Sequence, residues 1–184
     1  YYEGLYIHRD IEKAIYYLTL SANNNFSKSQ FLLGCIYFYG EYVSHDLEKS
    51  IYYITQSAKQ NHDEAQLLLG VIYFSDKYIK KDVKKAIMYF NYSANLNNRI
   101  AQYNLGLLYL EGIVIPKNIK KSIYYLERSA NQGYPKSQYL LGIIFYEGKE
   151  ISPDFIKSIH YLKEASCYNH SEAKNNLGLL YKNG

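Results

Sequence analysis

Ala101-Gln-Tyr-Asn-Leu-Gly-Leu-Leu-Tyr-Leu-Glu-Gly112 is the stretch on which the reading of this chain turns. It returns as Ser29-Gln-Phe-Leu-Leu-Gly-Cys-Ile-Tyr-Phe-Tyr-Gly40 and as Ser137-Gln-Tyr-Leu-Leu-Gly-Ile-Ile-Phe-Tyr-Glu-Gly148, with further copies starting at Ala65 and Ala173. Its first glycine recurs at Gly34, Gly70, Gly106, Gly142 and Gly178, a constant spacing of 36 residues. The second recurs at Gly4, Gly40, Gly112, Gly148 and Gly184, with Asp76 in the remaining slot. A fixed period of this size is the mark of a solenoid, whose units are complete only when their neighbours cover them.

Working outward, each period reads as two helices. The quoted stretch is helix A, in which Leu105, Leu108 and Tyr109 share one face. A mid-helix glycine costs about 1 kcal/mol against alanine, so its recurrence predicts that a neighbouring helix comes too close for a Cβ. Small residues at Ser29, Ala65, Ala101, Ser137 and Ala173 extend the same seam. Helix A is predicted to stop at the second glycine in a left-handed turn, a geometry Asp76 would have to adopt at some cost. A loop with an apolar plug follows (Ile7, Val43, Ile79, Ile115, Ile151), and helix B opens on the caps Asp10, Asp46, Asp82, Asn118 and Asp154. Pro116 and Pro153 precede two of these caps, and Pro135 suits the first turn of a helix A. Helix B carries Lys13, Lys49, Lys85, Lys121 and Lys157, then a tyrosine at positions 17, 53, 89, 125 and 161. It closes at Asn25, Asn61, Asn97, Gly133 and Asn169, residue types that tolerate the left-handed conformation.

Composition fits this picture. The chain has 184 residues, 48% of them apolar, and 24 tyrosines with no tryptophan; the tyrosine excess sits largely at repeat positions. A net charge of +4 and a pI near 8.8 fall short of the basic footprint, a pI above about 9, that marks nucleic-acid binding. No apolar run approaches the roughly 18 residues of a membrane span. The first residue is not Met and lies inside a repeat, so residues 1–184 read as one solenoid segment from a longer array. Its periods are 5–40, 41–76, 77–112, 113–148 and 149–184, and missing targeting signals decide nothing. Stacking would hold Cys35 and Cys167 well beyond the roughly 7 Å limit of a disulfide. Two free thiols lean towards a reducing, cytoplasmic compartment and leave the endoplasmic reticulum open. Three Asn-x-Ser matches, at Asn25, Asn91 and Asn169, are expected by chance in so Asn- and Ser-rich a chain.

The pattern Ala101…Leu105-Gly106…Tyr109…Gly112, then Ile115, Asn118, Lys121-Ser122, Tyr125, Ser129-Ala130 and Gly133, resembles the Sel-one-like repeat (SLR) group of the tetratricopeptide-like superfamily. Ordinary tetratricopeptide repeats are 34 residues long with a tighter turn between their helices, and the longer Gly112–Asn118 loop favours the SLR resemblance. Disulfide-rich bacterial members carry a cysteine pair in each repeat; this chain does not, so their penicillin-related activity is not carried over. The resemblance implies an all-α, right-handed superhelical solenoid that serves as an adaptor. It fixes no functional residues, because the shared positions are packing positions.

Binding must then come from variable positions. The face of helix A left over after packing offers Phe31, Cys35 and Phe38; Leu67, Val71 and Phe74; Tyr103, Leu107 and Leu110; and Tyr139, Ile143 and Tyr146. In the fifth copy it turns polar (Glu172, Asn175, Leu179, Lys182). In resembling folds this face lines the concave side, where an open apolar stripe would bind a peptide; the plain alternative is that neighbouring helices bury it. Lysines gather at Lys77, Lys80, Lys81, Lys84 and Lys85 and again at Lys117, Lys120 and Lys121. They are either a solvated face or a basic patch for an acidic partner.

The five histidines form no site, and no metal spacing, nucleophile motif or phosphate loop is present. The sequence therefore calls for no cofactor, no metal and no catalysis. The expectation is a protein–protein scaffold binding a peptide or protein segment, with self-association through the repeat ends as a further expectation. The alternatives are an RNA-binding helical-repeat protein, or an acidic partner held by the lysines. One-base-per-repeat RNA reading needs polar code residues where Phe31, Leu67 and Tyr103 stand.

Overall fold

The structure, a computed structural model, describes residues 10–168 and 171–183. The expected turn residues Gly4, Ile7, Asn169 and Gly184 lie outside the described residues. Among those described there are ten α-helices and no strand. In chain order they are α1 (Ile11–Asn23), α2 (Ser27–Tyr39), α3 (Leu47–Lys59), α4 (Asp63–Phe74), α5 (Val83–Asn95), α6 (Arg99–Glu111), α7 (Ile119–Ala130), α8 (Pro135–Glu147), α9 (Phe155–Cys167) and α10 (Ser171–Asn183). Odd helices are the predicted helix B and even ones helix A. By compactness the chain divides into two units, Tyr1–Tyr89 and Phe90–Gly184; α1 to α4 pack consecutively in the first and α6 to α10 in the second.

Helix B begins where its capping chemistry says it must. Asp10, Asp46, Asp82 and Asp154 each accept the backbone N–H three residues on at 3.0 Å, and Asn118 does so at 2.9 Å. The residue capped in this way is the repeat lysine, which explains why lysine recurs there. Its ammonium folds back on the cap carboxylate, at 2.9 Å for Lys13–Asp10 and 3.0 Å for Lys49–Asp46. It also lies over a ring of the preceding helix A: Lys49 over Tyr37 at 5.3 Å, Lys85 over Tyr73 and Lys121 over Tyr109 at 5.1 Å, Lys157 over Phe145 at 5.0 Å. Such exposed contacts are individually weak, but they give the lysine a structural role in every described copy.

Helix ends follow the predicted left-handed turns with one exception. Gly112 closes α6 at φ 69°, and Asn25, Asn61, Asn97 and Gly133 stand at φ 61–70° after the B helices. Asp76 does not take the expected left-handed geometry. α4 instead ends one residue early on an extended Ser75 (φ −99°, ψ 132°), and the Asp76 carboxylate accepts the Lys81 N–H at 3.2 Å. The chain thus avoids the strain of a positive φ at a residue carrying a Cβ.

Three of the mid-helix glycines, Gly34, Gly106 and Gly142, are close-approach sites. A Cβ on Gly34 would stand 2.4 Å from Ile54, on Gly106 2.6 Å from Leu126, and on Gly142 2.6 Å from Leu162. The helix B residue facing them is small for the same reason. Ser50, Ser122 and Ser158 are fully buried and donate their hydroxyls to the carbonyls of Gly34, Gly106 and Gly142 at 2.8–2.9 Å. One turn on, the recurring aromatics stack almost parallel: Tyr37–Tyr53, Tyr73–Tyr89, Tyr109–Tyr125 and Phe145–Tyr161, at 5.8–6.2 Å between ring centres.

A second, polar seam was not singled out in the sequence. Gln30, Gln66, Gln102 and Gln138 are buried, and each donates its side-chain amide to a helix B carbonyl (Ala22, Ala58, Ala94, Ala130) at 3.1–3.3 Å. Their Oε1 atoms differ. Those of Gln30 and Gln102 accept from Gln60 and Gln132 at 2.7 Å, whereas those of Gln66 and Gln138 have no partner.

Candidate protein-interaction face

In the first unit the expected stripe is only partly open. Phe31 is half-buried and stacks on His62 at 4.7 Å. His62 is fixed in turn by accepting the Ala65 N–H at Nδ1, which caps α4. Phe38 is a correction: at 9% exposure it belongs to the core with Ile54 and Leu69, closed over by Tyr78 at 4.9 Å. Tyr78, a residue of the loop that follows α4, buries it, which the periodic pattern does not encode. Phe74 is half-buried under the Lys81 ammonium at 4.8 Å. Cys35 is half-buried, and burial first, then the charge of Glu64, pushes its thiol pKa up to about 11. Leu67 is half-buried and Val71 is 39% exposed.

The second unit is more open. Tyr103 and Tyr139 are half-buried; Tyr103 meets the Tyr134 ring edge-on at 5.4 Å, and the Tyr139 hydroxyl accepts from Asn176 at 3.4 Å. Burial, followed by Tyr134 and Glu111, raises the Tyr103 phenol pKa. Leu107, Leu110 and Ile143 are half-buried, and Tyr146 is 44% exposed. Two apolar hollows flank α8. One, of about 230 Å³, lies among Leu110, Ile119, Leu140, Ile143 and Ile151 and is rimmed by Lys117, Glu147 and Glu150. The other, of about 240 Å³, lies among Ile143, Tyr146, Leu162, Leu179 and Leu180. Ile143 and Glu147 border both.

The stripe read from the sequence includes Leu110, Ile143 and Tyr146, which border these hollows, and leaves out the other residues around them. Ile151 was assigned to the loop plug and Leu179 to a copy that turns polar. Yet Leu179 sits 36 residues after Ile143, so the repeat register carried that signal. Glu147 and Glu150 lie beside the helix A terminus, where no periodic signal marks them.

The lysines are largely engaged. In the first unit Lys77 lies over Tyr78 at 5.2 Å, Lys81 over Phe74, and Lys85 over Tyr73 and 3.7 Å from the Asp82 carboxylate. In the second, Lys117 pairs with Glu150 and Lys121 covers Tyr109. Lys80, Lys84 and Lys120 are exposed. These contacts favour the structural and solvated reading in each unit. Cys35 and Cys167 are free thiols. Among the described residues no group of three His, Cys, Asp or Glu side chains is placed to hold a metal, and no helix is long and apolar enough to cross a membrane.

Capped two-helix units, glycine seams and stacked aromatics at a 36-residue period define a helical-repeat solenoid of the tetratricopeptide-like class. The Sel1 repeat family model matches residues 1–26, 27–62, 63–98, 99–134, 135–169 and 171–184, so the chain belongs to the Sel1 repeat family. A protective antigen of uropathogenic Escherichia coli strains with an SLR fold is 25% identical with a TM-score of 0.88. The match covers 92% of this chain and 36% of that one, so this chain spans about a third of that protein's length. A Sel1 repeat protein from Oxalobacter formigenes is 28% identical with a TM-score of 0.85, over 94% of this chain and 70% of that one. An immunity protein from Pseudomonas aeruginosa, 17% identical with a TM-score of 0.58 over 87% of this chain and 59% of that one, shares the fold. No curated protein matches the chain. Sel1 repeat proteins are generally non-catalytic scaffolds for protein interactions.

Proposed function

We propose that this chain is a non-catalytic scaffold that captures a segment of a partner protein on the helix A face of its second unit. The observation that carries this is the pair of apolar hollows sharing Ile143, bordered by Tyr146 and Leu179, which are 44% and 50% exposed. Adjacent concave apolar sites with a rim of mixed charge suit a peptide with two aliphatic or aromatic anchors flanked by polar residues, the affinity concentrating in those anchors. Phe31, Cys35, Leu67, Val71 and Phe74 form the corresponding face of the first unit and take the same role there. The half-burial of Tyr103 and Tyr139 moves the expected centre of binding from those rings to Ile143, Tyr146 and Leu179.

The test is a peptide selected for binding from a random displayed library. Its affinity is measured for the wild-type chain, Tyr146→Ala, Leu179→Lys and the remote control Tyr52→Ala. Tyr146→Ala and Leu179→Lys should each weaken binding by at least about 1 kcal/mol, roughly fivefold, at an unchanged far-UV spectrum. Tyr52→Ala should leave affinity as it was. Peptides insensitive to both substitutions would place the binding surface elsewhere.

A further inference from the structure

In the first unit the chain itself fills the place that stands open beside α8 in the second. Phe38 and Ile72, with Leu47, Leu68 and Ile79 beside them, belong to the apolar cluster on which Tyr78 packs, its ring 4.9 Å from that of Phe38. The Lys77 ammonium lies over the Tyr78 ring at 5.2 Å. Two periods on, Phe38, Leu47, Leu68, Ile72 and Ile79 return in the same order as Leu110, Ile119, Leu140, Ile144 and Ile151. These five residues line the hollow of about 230 Å³.

The ring does not return. Glu150 stands at the register of Tyr78, and its carboxylate pairs with Lys117 at the rim. A carboxylate keeps its hydration and does not enter apolar space, so the lining is left without the side chain that covers it in the first unit. Leu110, Ile119, Leu140 and Ile151 are half-buried, so the space is reached from solvent. Its size is sufficient, since an apolar cavity of about 150 Å³ already takes up benzene. Lys149 stands at the register of Lys77 and holds the Glu147 carboxylate at 2.9 Å, beside the opening.

We infer that this hollow recognises an aromatic side chain of the partner segment, a tyrosine or phenylalanine, seated as Tyr78 is seated in the first unit and covered by the Lys149 ammonium. The inference rests on the reading that the helix A face of the second unit captures a peptide, and it names the chemistry of one anchor. A ring suits the place better than leucine or isoleucine, because only a ring offers the lysine a π face and because the same set of positions already closes on a ring in this chain.

The experiment uses the intact chain with labelled isoleucine and leucine methyl groups, titrated with acetyl-Gly-Tyr-Gly-amide and with its phenylalanine and leucine counterparts. Saturable shifts are expected at Ile119, Leu140 and Ile151 with both aromatic peptides, and at least fivefold weaker binding with the leucine peptide. Glu150→Tyr returns a ring to the register of Tyr78, so it should abolish the shifts while raising the melting temperature. Glu150→Ala removes the carboxylate but fills nothing, so saturable shifts should persist. The inference is overturned if no peptide gives saturable shifts, if leucine binds as tightly as the aromatic peptides, or if Glu150→Tyr binds like wild type. Concentration-dependent association of the chain that Glu150→Tyr removes would identify a second copy as the occupant and overturn it equally. If the aromatic peptides fail while library-selected peptides still depend on Tyr146 and Leu179, the aromatic anchor alone falls and the scaffold reading stands.

Discussion

Gly106 and Gly178 hold the same place in their repeats but different surroundings, so one substitution should have opposite effects at the two. A Cβ built on Gly106 would lie 2.6 and 2.8 Å from two side-chain carbons of Leu126, a fully buried residue, and 3.3 Å from the Ser122 carbonyl oxygen. Leu126 would have to shift within the core, and overpacking of this kind costs typically about 1–3 kcal/mol. The gain in helix propensity from glycine to alanine returns about 1 kcal/mol. Gly106→Ala should therefore be destabilising by up to about 2 kcal/mol. A Cβ on Gly178 meets nothing within 4 Å, so Gly178→Ala should keep the propensity gain alone. For a chain of this size 1 kcal/mol moves the melting temperature by about 2–4 °C. The two variants should thus fall on either side of wild type in thermal unfolding followed by circular dichroism, with Gly106→Leu lower still. If Gly106→Ala melts as high as Gly178→Ala, the recurring glycine is not a close-approach residue.

Three further outcomes follow from the caps, the thiols and the seam. Hydrogen bonds from the Lys13 and Lys49 backbones, then from their side chains, lower the pKa values of Asp10 and Asp46 below the ordinary 3.8. A lowered folded-state pKa gives stability that is present above the unfolded value and lost as pH falls through the folded one. The melting temperature should therefore drop as pH is taken below about 3.8, and Asp10→Asn/Asp46→Asn should flatten that drop; an unchanged profile would discount the caps. With its pKa near 11, Cys35 is protonated at pH 8, so an aromatic disulfide reagent should titrate the exposed Cys167 quickly and Cys35 slowly; equal rates would contradict the burial of Cys35. Gln60→Ala should lower the melting temperature by leaving Gln30 Oε1 without its donor, an effect of about 1–3 kcal/mol; no change would mean that water serves this seam freely.

What could be read from the sequence was what is local or repeated. The caps at Asp10, Asp46, Asp82, Asn118 and Asp154 depend on a few adjacent residues, and all five function as expected. The glycine seam was legible because its cause recurs with the period. Asp76 was misjudged because the alternative, stopping the helix at Phe74 with an extended Ser75, depends on neighbouring side chains and not on the repeat. Phe38 was misplaced for a related reason: its cover, Tyr78, comes from a loop position where the copies differ. The stripe was drawn from helix positions alone, so it omitted the loop and rim residues that turn a face into hollows.

The glutamine seam shows where function resides in an array like this. Gln30, Gln66, Gln102 and Gln138 recur in four of the five copies, with an exposed Lys174 in the fifth, and by themselves they say only that a polar group is buried in each of those four. Information enters at the positions that answer them. Gln60 and Gln132 satisfy their partners and make those contacts structural, while Tyr168 leaves Gln138 unanswered. The constant half of each pair supplies an acceptor in a defined geometry, and the variable half decides whether the chain answers it. The same logic holds along α8. There the repeat supplies the buried Leu141 and Gly142, and the variable Ile143, Tyr146 and Glu147 shape what stays exposed. A repeat fold can thus keep its packing positions fixed and still acquire separate recognition sites, because each needs a change only in residues whose burial the fold does not require.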